Sequence, residues 1–87
     1  MKRLIMFYGT ECSHCHAMEP LVEKLEKEKK IKVKRLEIWH NDANAALLNR
    51  LSAGKCMQIP FFFNEKTGKH ICGPAAYEEL KQWAAEK

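Results

Sequence analysis

The 87 residues predict a single α/β domain with its elements in the order strand, helix, strand, helix, strand, strand, helix. Three observations carry this prediction. Short apolar runs rich in β-branched and aromatic residues alternate with segments whose apolar residues recur every three or four positions. The chain is long enough for one modest core and too short for a second, so residues 1–87 are read as one domain. A composition of 46% hydrophobic and 30% charged residues is that of a packed protein, not a disordered one.

Leu4 to Tyr8 is a continuous apolar run that stops at Gly9-Thr10, which suits a short strand buried on both faces. It delivers the chain to Cys12-Ser13-His14-Cys15-His16. Beyond this motif, Met18, Leu21, Val22 and Leu25 mark one face of an amphipathic helix that fades near Lys29-Lys30, with Pro20 inside it predicting a kink. Val33 to Trp39 is the second strand by its β-branched and aromatic content. Asn41-Asp42 offers an N-cap for a helix carrying Ala43, Ala46, Leu47, Leu48 and Leu51, which stops before Gly54. Ile59 to Phe63 is a strand opened by Pro60, where a missing N–H does least damage. Asn64 to Gly68 is turn chemistry, and Lys69 to Cys72 returns as the second arm of a hairpin. After Gly73-Pro74, the residues Tyr77, Leu80, Trp83 and Ala84 mark the last helix. The first two strands should pair in parallel across their helix, and the last two antiparallel.

Charge and targeting signals narrow the setting. The net charge of +4 arises mainly between Lys24 and Arg35, where Glu23, Glu26 and Glu28 are interleaved. Mixed signs at helical spacing describe a solvated helix face, so no nucleic-acid partner is expected. The start of the chain imitates a signal peptide, but its apolar run breaks at Gly9 and no small-residue cleavage site follows. No segment approaches a membrane span, so no membrane partner is expected. The expected compartment is the cytoplasm, where a close cysteine pair is more often catalytic or metal-binding than structural.

Taken alone, Cys12-Ser13-His14-Cys15-His16 fits three chemistries: a redox pair, half of a zinc site, and the C-x-x-C-H attachment sequence of a c-type haem. Haem attachment lacks an export signal, and the strand–helix alternation accounts for the whole chain without that cofactor. Zinc would take Cys12 and Cys15 as two ligands, completed by His14, His16 or Cys56, although no second closely spaced pair is present.

Four features resemble the thioredoxin-like superfamily in its small, glutaredoxin-sized form. They are the C-x-x-C between the first strand and first helix, Pro20 five residues beyond the second cysteine, Ile59-Pro60 ahead of an apolar strand, and Gly73 between hairpin and last helix. The resemblance covers essentially the whole chain. It implies a minimal thioredoxin (glutaredoxin-like) fold: a mixed four-stranded sheet with helices on both faces and a cis Ile59-Pro60 bond. It further implies that this proline packs against the redox pair, and that Ile59, Pro60 and Gly73 form the substrate-binding edge. There are departures. Glu11 stands where thioredoxins usually carry tryptophan, and Met6 where they carry a buried aspartate, so the proton acceptor for the second thiol is missing or replaced. The glutaredoxin tyrosine and Gly-Gly pair are also absent, while His14 before the second cysteine resembles the protein disulfide isomerases.

The implied activity is thiol–disulfide exchange with protein disulfides or dithiols, with a non-catalytic peptide-binding module of the same fold as an alternative. Cys12, at the positive end of the helix, is the expected nucleophile, because first-turn N–H groups stabilise a thiolate. Cys15, one turn deeper, is the resolving thiol. Glu11, Ser13, His14 and His16 are the expected modulators, with His14 favouring a more oxidising pair than thioredoxin's and Glu11 opposing it unless it points into solvent. His40 and His70 are read as surface residues. Cys56 is a possible accessory thiol near the active-site end or a partly buried apolar-like cysteine, and Cys72 is read as packing. Met18, Met57 and Phe61 to Phe63 are read as core, with Met57 or Phe61 as candidates to line the substrate groove. The expected cofactor is none beyond the Cys12–Cys15 disulfide, and no metal. The expected partners are protein substrates and a reductant, either a reductase or glutathione, acting on a monomer.

Overall fold

The computed structural model describes residues 4–85. Seven elements follow one another: β1 (Leu4–Tyr8), α1 (Ser13–Lys29), β2 (Val33–Glu37), α2 (Asp42–Ser52), β3 (Phe61–Asn64), β4 (His70–Cys72) and α3 (Tyr77–Ala84). The four strands form one mixed sheet in the order β2-β1-β3-β4. β1 runs parallel to β2 and antiparallel to β3, and β3 and β4 form the hairpin. This is the minimal thioredoxin fold that the sequence resembles.

Strand periodicity divides the core in two. Met6 and its register partner Phe62 face a cluster formed with Met18, Val22 and Leu25 of α1 and Leu80 and Trp83 of α3. Ile5, Phe7 and Phe61 point the other way, against Leu48 of α2. One face of the sheet therefore carries α1 and α3, and the other carries α2. Phe62 and Trp83 meet edge to face at 5.3 Å, a geometry worth about 0.5–1.5 kcal/mol beyond simple burial. Asn64 is the buried polar residue among those described; its side-chain amide donates to the Trp83 carbonyl and its oxygen accepts from Lys66 and Thr67, so the hairpin turn is tied to α3.

Local chemistry sets most boundaries. Asn41 caps α2 through its side chain, accepting the Asn44 N–H at 3.0 Å. α1 continues through Pro20 and ends at Lys30, which takes the left-handed conformation at φ 54°. Strand limits differ from the sequence expectation in β2, β3 and β4, the last of which starts at His70 instead of Lys69. β2 stops at Glu37: the Ile38 N–H still donates to the Tyr8 carbonyl at 2.8 Å, and beyond it the chain turns back so that the Glu37 carboxylate accepts the His40 N–H. β3 starts at Phe61 instead of Ile59 and extends to Asn64, whose N–H bonds the Lys69 carbonyl across the hairpin. Arg35 lies in β2, within the strand the sequence predicts, and its guanidinium is half-buried between Glu19 and Glu26 of α1 instead of solvated.

Candidate active site

β1 leads into a tight turn in which the Cys12 N–H donates to the Gly9 carbonyl at 3.0 Å. Glu37, at the end of the neighbouring strand, holds this turn from outside. Its carboxylate accepts the Thr10 N–H at 2.9 Å and the Thr10 hydroxyl at 3.2 Å, and its other oxygen takes the His40 N–H at 2.7 Å. Burial pushes the Glu37 carboxyl up, but these donors outweigh it and hold it below its ordinary range. Trp39 lies over Gly9 so closely that an added Cβ would stand 2.4 Å from its ring. Glycine is thus the residue the close approach allows.

Cys12 is the N-cap of α1, with extended backbone, and its sulfur accepts the Cys15 N–H at 3.2 Å. A cysteine at this place aims its sulfur at the unpaired donors of the first turn, where negative charge is stabilised. Both sulfurs of the motif are free thiols on buried residues, Cys12 6% and Cys15 1% exposed. Burial pushes the Cys15 thiol up to about 12, reinforced by its hydrogen bond to Cys12 and by the negative charge of Glu19. Cys15 therefore keeps its proton at neutral pH.

The strand aspartate that the resemblance would supply is replaced by Met6, which is fully buried in the apolar core. Arg35 is opposite Met6 in the parallel register. Its guanidinium binds Glu19 at 3.0 Å and Glu26 at 3.1 Å. Glu19 follows Cys15 by four residues, one turn along the same helix face, so a carboxylate whose charge acts on Cys15 comes from the helix instead of the strand.

The loop before β3 closes the site from the other side. The Ile59–Pro60 peptide bond is cis, and the Ile59 carbonyl oxygen lies 4.0 Å from the Cys12 sulfur. Pro60 is buried, and its carbonyl accepts the Gly73 N–H at 2.9 Å. Gly73 sits at φ 94° against Gln58, whose side-chain oxygen would be 2.8 Å from an added Cβ. Ile59 and Pro60 are thus brought beside the motif, and Gly73 joins them through its contact with Pro60.

Other expectations need correction. Cys56 is not a free thiol: it forms a disulfide with Cys72, with Cα atoms 5.8 Å apart, because the loop before β3 passes the end of β4. The same bond removes Cys56 as a zinc ligand and gives Cys72 a role beyond packing. Met57 is not core, being 90% exposed on that loop, and Phe61 is core, fully buried between sheet and α2. Glu11 is exposed but not alone: its carboxylate meets His40 Nε2 at 2.9 Å. This pairing raises His40 above the ordinary histidine range. Ser13 and His14 are exposed in the first turn, and the exposed His16 ring donates from Nε2 to the Thr10 carbonyl, bracing the turn. Among the described residues, the metal-ligating side chains that converge within 4.8 Å are Glu11, Glu37 and His40, a group that contains neither Cys12 nor Cys15. Sequence reasoning missed Glu37, His40 and Trp39, which reach the motif only because β2 lies next to β1.

The family model described as thioredoxin matches residues 1–86. No curated protein matches the chain. Among solved structures, one from work on thiol resolution in yeast mitochondrial 1-Cys peroxiredoxin via glutathione/thioredoxin systems is 22% identical, with TM-score 0.65 over 93% of this chain and 74% of that one. The oxidized form of mitochondrial thioredoxin 3 from Saccharomyces cerevisiae is 24% identical, with TM-score 0.63 and the same coverage. At these identities the likeness establishes the fold.

Proposed function

Because the chain belongs to the thioredoxin family, we propose that its thiol–disulfide redox role is catalytic exchange with protein disulfides through Cys12 and Cys15. The observation that carries the proposal is the Cys12 sulfur: it caps α1, accepts the Cys15 N–H and lies beside the Ile59 carbonyl.

In the reducing direction, the Cys12 thiolate attacks one sulfur of a substrate disulfide. A Cys12–substrate bond forms, the substrate bond breaks, and one substrate thiolate leaves. Cys15 then loses its proton and attacks Cys12, closing the Cys12–Cys15 disulfide and releasing the second substrate thiolate. Two electrons have passed to the substrate, and an external thiol reductant returns them. Ile59 and Pro60 offer the backbone edge along which an extended substrate lies, with Gly73 fixing that edge through Pro60. Glu19, held by Arg35, is the carboxylate that receives the Cys15 proton in place of the strand aspartate. No resident cofactor enters this cycle.

The test is a redox titration of metal-free protein in glutathione buffers, counting trapped thiols by mass spectrometry, with Cys12→Ser and Cys15→Ser alongside. A reversible two-electron transition assigned by peptide mapping to Cys12 and Cys15, and lost in both variants, is expected. Absence of any transition at Cys12 and Cys15, or zinc bound stoichiometrically by the motif, would overturn the proposal.

A further inference from the structure

The Cys56–Cys72 disulfide stands outside the Cys12–Cys15 cycle, and its surroundings are those of a reactive bond. It joins the loop before β3 to the last residue of β4. Cys72 is exposed and Cys56 half-buried. A cavity of about 260 Å³ opens onto the bond, lined among others by Leu51, Lys55, Phe61 and His70. An attacking thiolate thus has an approach to the sulfur of Cys72 past a lysine.

The bond also sits at the root of the proposed substrate edge. Cys56 lies three residues before Ile59, whose carbonyl contacts Cys12, and Cys72 immediately precedes Gly73, whose N–H holds Pro60. Of the described backbone hydrogen bonds outside regular elements, the one that fastens residues 56–60 to the rest of the sheet is Gly73 to Pro60. The disulfide is the covalent fastening beside it. Disulfides are uncommon where thiols are kept reduced unless they turn over, so in the cytosolic setting expected from the sequence this bond would be a working one.

We propose that Cys56–Cys72 is a second thiol-exchange site, reduced by glutathione-like thiols through this cavity, and that its state sets how firmly the Ile59–Pro60 edge is presented. A thiolate attacks Cys72, the Cys56–Cys72 bond breaks, and Cys56 leaves as a thiolate that takes up a proton. The Gln58 carbonyl, 3.2 Å from the Cys56 sulfur, accepts the new S–H. A second thiolate attacks the bound thiol's own sulfur and frees Cys72. Two thiols become one disulfide, and one protein disulfide becomes two thiols. The regulatory half of the proposal rests on the exchange function proposed for Cys12 and Cys15; the chemical half does not.

The experiment uses the full chain carrying Cys12→Ser and Cys15→Ser, so that only the second pair reports. In glutathione buffers running from oxidised to reduced, Cys56 and Cys72 are expected to pass reversibly from disulfide to dithiol while circular dichroism shows the protein folded. Adding Cys56→Ser should let glutathione be trapped on Cys72. A bond that survives the most reducing buffer and opens only with unfolding would make it a structural staple and overturn the proposal. In the otherwise native chain, Cys56→Ser with Cys72→Ser should raise KM for a protein disulfide severalfold with kcat nearly unchanged. An unaltered KM would overturn the coupling to the substrate edge. Absence of any Cys12–Cys15 turnover would refute the function proposed above, while the first arm would still report on the second pair.

Discussion

The Cys12 sulfur accepts the backbone N–H of Cys15 at 3.2 Å, so one atom is both the helix cap and the proposed nucleophile. The two roles separate by substitution. Serine is a favoured N-cap and alanine is not, a difference of about 0.5–2 kcal/mol. Cys12→Ser and Cys12→Ala should both abolish insulin disulfide reduction, while urea unfolding should find the alanine variant less stable than the serine variant by about 1 kcal/mol. Equal stabilities would show that the sulfur contributes nothing as a cap.

The reduced pair should react unequally. With Cys15 held up to about 12 by burial, Cys12 and Glu19, iodoacetamide at neutral pH should modify Cys12 and leave Cys15 untouched until the protein unfolds. The linkage has a definite sign. An unfolded Cys15 ionises near its ordinary value of 9.0, whereas the folded thiol waits until about 12. The contribution is intact below the unfolded value and is lost as pH climbs through that window. Urea midpoints of the reduced protein should therefore fall with rising alkalinity more steeply than those of Cys15→Ala.

Glu19→Gln should slow the second step of the cycle rather than the first. A positioned proton acceptor typically contributes about 10²–10⁴-fold, so resolution of the Cys12 mixed disulfide should slow by more than about tenfold. Arg35 keeps Glu26 as a partner in this variant, which limits any loss of stability. Rapid quenching with mass spectrometry should find the mixed disulfide accumulating. An unchanged resolution rate and pH profile would remove Glu19 from the mechanism.

Gly9→Ala tests how closely Trp39 covers the turn before Cys12. The new Cβ would meet the indole at 2.4–2.8 Å, so the ring has to move, at a cost of about 1–3 kcal/mol. Trp39 is already 51% exposed and Trp83 is 3% exposed, so iodide quenching of fluorescence should rise with Trp39 alone responding. Quenching that stays at the native level would contradict the close approach.

His40 should titrate above the ordinary histidine value of 6.5, because its hydrogen bond and charge interaction with Glu11, and the charge of Glu37, favour the protonated ring. Nuclear magnetic resonance of the ring protons should find this raised titration, and Glu11→Gln should move it back toward 6.5. A titration insensitive to Glu11→Gln would mean that the pair does not form in solution.

Much of this molecule was readable one segment at a time. The order of the seven elements followed from periodicity, and the limits of β1 and α2 followed from Gly9 and the Asn41 cap, because strand pleat, helix pitch and capping act over a few neighbouring residues. The position of Cys12 at the start of α1 was equally local. Ile59, Pro60 and Gly73 were located near the motif only by family resemblance, since nothing near them in the chain points to Cys12.

What only the tertiary structure decided involves residues far apart in the chain. Four cysteines admit three full pairings, and neither composition nor spacing joins Cys56 to Cys72 while leaving Cys12 and Cys15 free. The meeting of Glu11 with His40, the hold of Glu37 on Thr10 and the seat of Glu19 on Arg35 all depend on β2 lying parallel to β1 in one register. Local sequence determined which elements form and where the reactive cysteines sit, because those are short-range matters of backbone preference. The charges, the second disulfide and the backbone edge around the cysteines were decided by strand order and register, which are set by packing of the whole core.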